Sequence, residues 1–205
     1  MNYDAVAPWY DRLASLVYLG RIEQSQKAFI HLIPSGSTVL IIGGGTGRFL
    51  KEVIKQRPER IVYVEKSEEM LCRAQAQNLR HQASITWIQG DERDIPSVTE
   101  FDAVLTFYLF SNYDKPAARR LWSKLHFHLK RGGMWINADF IGTSRQNMWQ
   151  RFLTKVMLWF FHLTAKLKNR SIPHTHSLFT KNEYREADRK VYYRRFIEAI
   201  AYRKP

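Results

Sequence analysis

Cysteine is nearly absent from this 205-residue chain, because Cys72 is the only one. A lone cysteine excludes an internal disulfide framework and is typical of a reducing compartment. No apolar run reaches the roughly 20 residues that a membrane-spanning helix needs. The opening MNYDAVAPWYDRL also lacks the basic end and apolar stretch of a secretion signal. We therefore expect a cytoplasmic protein.

Acidic residues are also scarce, with 19 Asp and Glu against 32 Lys and Arg, a net charge of +13. From Ile141 onward there are 14 basic and 4 acidic residues, a balance of +10, which leaves +3 for the first 140. The excess therefore lies in the last third of the chain. Such a field attracts nucleic acid, anionic lipid or acidic ligands, but it says little about fold.

Strand-like and helix-like segments alternate along the chain, whose length fits one α/β domain. Strands are predicted at 38–44, 60–66, 84–90, 101–108 and 132–140, and a closing pair at 189–195 and 196–204. Helices are predicted at about 46–56, 67–79 and 116–131, the last ended by Gly132 and Gly133. This alternation predicts a parallel sheet covered on both faces.

The stretch VLIIGGGTGRFL places four glycines within five positions, directly after a buried strand. A strand that leads into a glycine-rich turn and a helix brings backbone close to a nucleotide-like ligand. The dinucleotide pattern G-x-G-x-x-G would need glycine at Arg48, whereas the third glycine is Gly47. The tighter G-x-G-x-G spacing favours a ligand whose amino-acid end passes over the turn. An NAD-dependent oxidoreductase and a turn without ligand are the alternatives.

Acidic residues follow the two strand candidates after the glycine turn. Glu65 comes 18 residues after Gly47, close to the roughly 20 residues at which a carboxylate accepts ribose hydroxyls in nucleotide-binding α/β folds. Asp91 and Glu92 follow the third strand, where a carboxylate can accept from an exocyclic amine. Together with the glycine turn, these acids predict an adenosine site.

These motifs carry a family resemblance. In their order and spacing, VLIIGGGTG, YVEKSEEML, QGDERDIP, FDAVLTFYLFSN and LKRGGMWINADF resemble the motifs of class I S-adenosylmethionine-dependent methyltransferases. The segment ahead of the first strand, YDAVAPWYDRLASLVYLGRIEQSQKAFIHLI, resembles the start of the ubiquinone and menaquinone biosynthesis group. The resemblance implies a doubly wound, Rossmann-like α/β fold. Its seven-stranded sheet is mostly parallel, with one antiparallel strand near the C-terminus.

The resemblance also implies S-adenosylmethionine as cofactor and S-adenosylhomocysteine as product. The cofactor-binding residues it implies are Tyr10, Gly43, Gly44, Gly45, Gly47, Glu65, Lys66, Met70, Asp91, Glu92 and Phe107. One position departs from the family, because Ile41 stands where an acid usually helps to hold the methionine amino group. Asp4 or Asp11 could substitute for that acid, and a cofactor-binding relic without activity is an alternative.

Methyl transfer from a sulfonium is an in-line displacement, for which the protein mainly supplies alignment and a dry pocket. A general base is needed only for a protonated, weakly acidic nucleophile, and we assign no catalytic residue. Substrate contacts are predicted at Asn112 and Tyr113 after the fourth strand, and at Trp149 and Phe152 in the insertion after the fifth. The histidines of PHTH lack the spacing of metal ligands, so no metal is assigned.

The insertion MWQRFLTKVMLWFFHLTAKLKNR combines aromatic bulk with basic flanks. It is interpreted as a helix over about 146–168, either a lid buried over the pocket or an interfacial helix on the inner face of an anionic membrane. Both suit a small apolar or lipid-like acceptor. An RNA methyltransferase is the alternative from the net charge, although nucleic acid is disfavoured because no RNA-binding module is appended.

The chain is predicted to form a single methyltransferase domain with four parts. Residues 1–36 are interpreted as an N-terminal helical cap and residues 37–140 as the cofactor-binding core. Residues 141–180 are interpreted as the helical insertion or lid, and residues 181–205 as the C-terminal strand pair. The sequence predicts no oligomeric state.

Overall fold

A computed structural model describes residues 20–77, 84–97, 100–152, 154–155 and 172–205 of the chain. The strands are β1 (Thr38–Ile42), β2 (Arg60–Glu65), β3 (Ser84–Gln89), β4 (Phe101–Phe107), β5 (Leu129–Phe140), β6 (Arg185–Tyr192) and β7 (Ile197–Arg203). The α-helices include α1 (Arg21–Lys27), α2 (Leu50–Lys55), α3 (Glu68–Gln75), α4 (Lys115–His128) and α5 (His176–Lys181). Strands and helices alternate through the core, as predicted.

The strands form one seven-stranded sheet in the order β3-β2-β1-β4-β5-β7-β6. Neighbours from β3 through β5 pair in parallel, whereas β7 runs antiparallel to both β5 and β6. The predicted fold class, a mostly parallel Rossmann-like sheet with one antiparallel strand near the C-terminus, is confirmed. The carboxyl ends of the parallel strands share one edge, where such folds bind ligands.

Both faces of the central sheet are covered, because β1, β2 and β4 are buried along nearly their whole length. In β1, Val39 and Ile41 belong to a core cluster with residues of α2 and α3, whereas Leu40 and Ile42 belong to a second cluster with residues of α4. The period-two alternation of side chains in a strand produces this division. The near-continuous hydrophobic run of β1 is what a strand buried on both faces requires.

Two predicted boundaries are wrong. The helix predicted at 116–131 ends at His128, and β5 begins at Leu129, so Gly132 and Gly133 lie inside a strand. Gly132 donates its N–H to the Lys204 carbonyl, and Lys204 donates back to the Gly133 carbonyl. The glycines thus pair the strand with the C-terminal segment, because tertiary pairing overrides their tendency to end a helix.

The penultimate strand was predicted at 189–195, but β6 spans Arg185–Tyr192. Tyr193, Arg194 and Arg195 form the turn into β7, with φ angles of 48°, 52° and 65°. Such left-handed conformations are uncommon outside glycine, so the sequence YYRR gives no turn signal.

The described residues include only part of the predicted helix over 146–168. Residues 148–152 are helical, and the prediction for 156–168 lies outside the described residues, as does the part of the N-terminal cap before residue 20. The insertion is closed at its base, since Thr143 donates its N–H to the Ile172 carbonyl at 3.1 Å. Ile172 returns its N–H to the Thr143 hydroxyl at 2.8 Å.

Candidate active site

One cavity lies at the carboxyl ends of β1, β2, β3 and β4, and α1 contributes to its wall. The residues on its wall include Ile22, Glu23, Gln26, Gly43, Gly44, Gly45, Gly47, Arg48, Glu65, Lys66, Met70, Asp91, Glu92, Phe107, Tyr108, Asn112 and Tyr113. Twelve of the predicted cofactor- and substrate-binding residues are in this set. The motifs are far apart in sequence, but parallel pairing of β1 through β4 brings their ends together.

Two different constraints require glycine in the turn between β1 and α2. Gly43, Gly45 and Gly47 have φ angles of 64°, 60° and 69°, which other residues rarely adopt. Gly44 is instead confined by the ring of Tyr63, which occupies the space that a Cβ would need. The Tyr63 hydroxyl donates to the Gly45 carbonyl at 3.0 Å. The turn is therefore held by β2 from below, and its upper surface faces the cavity.

Glu65, at the end of β2, is buried and anchors the loops on both sides of it. One carboxylate oxygen accepts the Gly45 N–H at 2.8 Å, and the other accepts the Ser67 N–H at 2.9 Å. Ser67 in turn caps α3 by accepting the Met70 N–H at 3.2 Å, as predicted. Sequence reasoning saw Glu65 as a ligand contact, and the structure adds that it fixes the conformation of the glycine turn.

Asp91 and Glu92 follow β3 at the opposite end of the cavity from α1. Asp91 accepts hydrogen bonds from the Arg93 side chain at 2.8 and 2.9 Å, and Lys66 lies 3.7 Å away. The hydrogen bond from the Arg93 side chain holds the pKa of Asp91 well below its usual range. Asp91 is therefore an anion at neutral pH and can accept from a ligand amine.

The loop after β4 brings three polar side chains to the cavity, those of Tyr108, Asn112 and Tyr113. Asn112 donates its side-chain amide to the Tyr108 carbonyl at 2.8 Å. Burial raises the pKa of the Tyr113 hydroxyl above its usual range, and the carboxylates of Glu92, Asp91 and Glu65 add to the effect. Tyr113 is thus a neutral hydrogen-bond donor rather than a base.

Sequence reasoning missed Tyr108, which joins the β4 loop to α1. Its backbone has a φ of 53°, and its hydroxyl shares a 2.7 Å hydrogen bond with the hydroxyl of Ser25. The sequence FDAVLTFY gives no sign of the turn, because Tyr108 there reads as the last residue of a strand. The φ and the partner are both consequences of where α1 packs.

Asp139, near the end of β5, supports the same loop from beneath. It is fully buried, and its carboxylate accepts the Ser111 N–H at 3.0 Å and the Phe140 N–H at 2.8 Å. Burial raises the pKa of Asp139 to about 6, against the effect of these hydrogen bonds. This carboxylate does not touch the cavity, but it positions the residues that do.

Three predicted site residues are not among the residues of the cavity wall given above. Tyr10 lies outside the described residues. Trp149 and Phe152 are not on the cavity wall but on the outer surface, where their exposed fractions are 37% and 70%. The Trp149 ring centroid lies 6.0 Å from that of Phe196 and 6.1 Å from that of Tyr193.

Within the described ranges, no group of three or more His, Cys, Asp and Glu side chains is arranged to hold a metal ion. The two histidines of PHTH have their ring centroids 6.0 Å apart. His176 instead pairs with the Tyr202 hydroxyl at 2.8 Å. In the same described part of the chain, no helix is long and apolar enough to cross a membrane.

The sheet order, the glycine turn and the acids after β2 and β3 together define a class I methyltransferase fold and site. Residues 39–133 match the family model of a methyltransferase domain. Over 172 residues the chain is 25% identical to a demethylmenaquinone methyltransferase of Chlamydia felis (strain Fe/C-56), covering 81% of this chain and 73% of that protein.

Two solved structures share the fold. The magnesium protoporphyrin IX methyltransferase ChlM from Synechocystis PCC 6803, with bound SAH, superposes with a TM-score of 0.67 at 15% identity, covering 91% of this chain and 84% of that one. A chain from the complex between the Haloferax volcanii Trm112 methyltransferase activator and the putative methyltransferase gives a TM-score of 0.70 at 16% identity, covering 100% and 96%. The predicted resemblance to class I S-adenosylmethionine-dependent methyltransferases is confirmed.

The residues of the cavity fit this cofactor. The glycines leave the backbone of the turn without side chains, so a ligand can lie directly against it. Carboxylates at the ends of β2 and β3 offer acceptors for ribose hydroxyls and an adenine amine. When bound, S-adenosylmethionine supplies an electrophilic methyl group on a sulfonium sulfur. The protein then has to bind, align and exclude water.

Proposed function

We propose that this protein transfers a methyl group from S-adenosylmethionine to a small apolar or lipid-like acceptor. The acceptor nucleophile forms the new bond to the methyl carbon while the carbon–sulfur bond breaks and its electron pair stays on sulfur. We place the adenosine against Glu65, Asp91 and Glu92 and the thioether over Gly43 to Gly47. In this proposal Asn112 and Tyr113 orient the acceptor, and Tyr10, Lys66, Met70 and Phe107 complete the cofactor site.

The observation that carries the proposal is the exposed apolar side of helical residues 148–152, which a row of packed aromatic rings connects to the cavity wall. Tyr108, on the cavity wall, lies 4.9 Å from the Phe140 ring centroid, and Phe140 lies 5.2 Å from Phe196. Phe196 is followed by Trp149 at 6.0 Å, where the row reaches solvent. Tyr108, Phe140 and Phe196 are buried in one core cluster, so the row is a packed connection between the cavity wall and the outer face and not an open path for the acceptor.

The helical residues 148–152 expose the apolar side that a helix normally buries. Gln150 and Thr154 are buried, and each makes a hydrogen bond, to the Arg194 carbonyl at 3.2 Å and to Gln146 at 2.8 Å. Met148 and Phe152, four residues apart and so on one helix side, are 88% and 70% exposed. Exposed large apolar side chains beside one another mark interaction surfaces.

Basic residues are common in the chain segments beside this apolar side. Residues 141–155 and 189–197 contain seven Lys and Arg and no Asp or Glu, although Arg189 is paired with Glu186 and with Glu198, both outside these ranges. Arg151, Arg194 and Arg195 are exposed on the described surface. We therefore propose peripheral contact with an anionic membrane here, which would bring the protein to an apolar acceptor dissolved in that membrane.

The similarity to a demethylmenaquinone methyltransferase is consistent with an apolar acceptor. The division into a helical cap (1–36), a cofactor core (37–140), an insertion (141–180) and a strand pair (181–205) remains part of the proposal. The hydrogen bonds between Thr143 and Ile172 support the insertion as a discrete unit.

The test is transfer of labelled methyl groups from the cofactor to a cell extract, separated afterwards into lipid, small-molecule, protein and RNA pools. We expect label in the lipid pool or among apolar small molecules. Phe152→Ser should reduce that label without changing cofactor affinity. Phe127→Ser is the matched control, because Phe127 is 74% exposed on α4. Label mainly in RNA would favour the alternative acceptor, and no label above background would favour a cofactor-binding relic.

A further inference from the structure

The amino-acid end of S-adenosylmethionine carries an ammonium and a carboxylate, so its recognition calls for one anion and one cation on the protein. The carboxylates that line the cavity are Glu65, Asp91, Glu92 and, on α1, Glu23. The lysine and arginine side chains that line it within the described residues are Arg48 and Lys66. The cavity therefore offers several acids and two cations to choose between.

Sheet topology divides these groups between two ends of the cavity. Glu65 and Asp91 follow β2 and β3, on one side of β1 in the sheet. Glu23 is on α1, which packs against β5, β6 and β7 on the other side. With the adenosine placed at the β2 and β3 end, as proposed above, the amino-acid end falls on the side of α1.

The charged groups at the first end already have protein partners. Glu65 accepts two backbone N–H groups, and Asp91 is bridged by Arg93, with Lys66 at 3.7 Å. On the α1 side, Glu23 is bound by Lys27 at 2.8 Å, and 41% of the Glu23 side chain is still open to solvent. Glu23 can therefore accept a further donor from the cavity.

Arg48 follows the last glycine of the turn and is exposed at the cavity wall. The hydrogen bond from Lys27, and then the charges of Lys27 and Arg48, hold the pKa of Glu23 below its usual range. Glu23 and Arg48 line the same cavity and therefore present one negative and one positive charge to a ligand there. Such a pair matches a zwitterion.

The strand beneath offers no acid on this side. Ile41 and Ile42 end β1, and Ile41 is 1% exposed within the core cluster. A carboxylate for the ammonium must therefore come from another element. Among the described residues on this side of the cavity, α1 supplies that carboxylate, Glu23.

We propose that Glu23 binds the ammonium group of S-adenosylmethionine and that Arg48 binds its carboxylate. This assignment rests on the proposed orientation of the adenosine. It gives α1 a binding role that the sequence patterns did not assign, and it explains how the site works with isoleucine at position 41.

Calorimetry with two probes tests the assignment. S-adenosylhomocysteine has the amino-acid end, and 5′-methylthioadenosine keeps the adenosine and thioether but lacks it. Glu23→Gln and Arg48→Gln should each weaken the binding of S-adenosylhomocysteine about tenfold and leave the affinity for methylthioadenosine unchanged. A tenfold loss is at the lower end of what a hydrogen bond to a charged group contributes, as expected at a partly exposed site. Glu69→Gln is the matched control, because Glu69 is also 41% exposed in an i,i+4 pair, with Arg73, but lies off the cavity wall.

Equal weakening of both probes would overturn the assignment, since it would mean that the variants disturb the whole cavity. Unchanged affinity for S-adenosylhomocysteine would overturn it too. Lys27→Ala gives a second check. It leaves the Glu23 carboxylate in place, so it should not weaken the binding of S-adenosylhomocysteine. A wild-type protein that binds neither probe would overturn both the cofactor assignment and this proposal.

Discussion

The cavity wall and the outer face around helical residues 148–152 have opposite electrostatic character in one chain of net charge +13. Four carboxylates line the cavity against two cations, whereas residues 141–155 and 189–197 hold seven cations and no acid. The net charge is therefore an average over two different surfaces. The cavity suits a cationic sulfonium and the outer face suits an anionic partner.

The two surfaces also differ in how firmly their charges are held. Glu65 is buried and fixed by two backbone N–H groups, so its geometry is set before a ligand arrives. Arg194 and Arg195 are exposed on a turn, where salt screens them and a partner can be met in many orientations. Fixed charges give specificity, and exposed charges without fixed partners in a ligand contribute mainly to the long-range field.

The largest expected effect comes from the fixed surface. Gly44→Ala should weaken cofactor binding about a hundredfold or more and lower the free energy of unfolding by about 1–3 kcal/mol, because the new methyl group displaces the Tyr63 ring. Calorimetry and urea denaturation measure the two effects. Gly133→Ala is the control, since it crowds Leu129 far from the cavity. It should cost stability and leave cofactor affinity intact.

Glu65→Ala should cost about 2 kcal/mol of cofactor affinity, roughly thirtyfold, because it removes a charged acceptor and releases the Gly45 and Ser67 N–H groups. Titration calorimetry gives the value. Glu68→Ala, an exposed neighbour at the start of α3, should have no effect. An unchanged affinity in the Glu65 variant would remove Glu65 from the site.

The buried carboxyl group of Asp139 leads us to predict that the stability of the protein depends on pH. Its folded pKa of about 6 lies above the unfolded value, so its stabilising contribution is complete below about pH 4 and is lost as pH rises through 6. Between pH 4.5 and 7, wild-type protein should lose about 2 kcal/mol of unfolding free energy relative to Asp139→Asn. Asp188→Asn, exposed on β6, should follow the wild type. Parallel curves for all three proteins would contradict the assignment.

The smallest effect belongs to the exposed cations. Arg194→Gln combined with Arg195→Gln should weaken flotation with anionic vesicles by roughly 1 kcal/mol per charge, and the loss should shrink as salt is added. Arg119→Gln with Arg120→Gln is the matched control, because that adjacent pair is exposed on α4. Equal losses from both pairs would mean that only net charge matters. Wild-type protein that floats with neither anionic nor neutral vesicles would exclude the membrane proposal.

Sequence reasoning worked well where a residue's role depends on its own strand. Glycines after a buried strand and an acid at the end of the next strand could be assigned to one site from the sequence, because parallel strands bring their carboxyl ends to one edge of the sheet. It failed where a role depends on packing. Glu23 and Asp139 lie in segments that carry the family resemblance, but no sequence pattern assigned either residue a role, and their placement comes from how α1 and β5 dock.

Helical residues 148–152 show the opposite error. Their apolar residues suggested contacts with the pocket, yet Trp149 and Phe152 lie outside while Gln150 is buried. A hydrophobic pattern identifies which helix side is apolar, but it does not say whether that side faces the core or a partner.

The sequence by itself determined the alternation of strands and helices, the glycine turn and the acids that follow β2 and β3, because these follow from local periodicity and from the backbone freedom of glycine. Only the tertiary structure decided which side of residues 148–152 faces solvent and which acid from α1 reaches the cavity. It also decided that α4 ends at His128 and that β5 begins at Leu129, ahead of Gly132 and Gly133. Those outcomes depend on contacts between segments far apart in the chain, where competing arrangements differ by packing and burial rather than by local propensity.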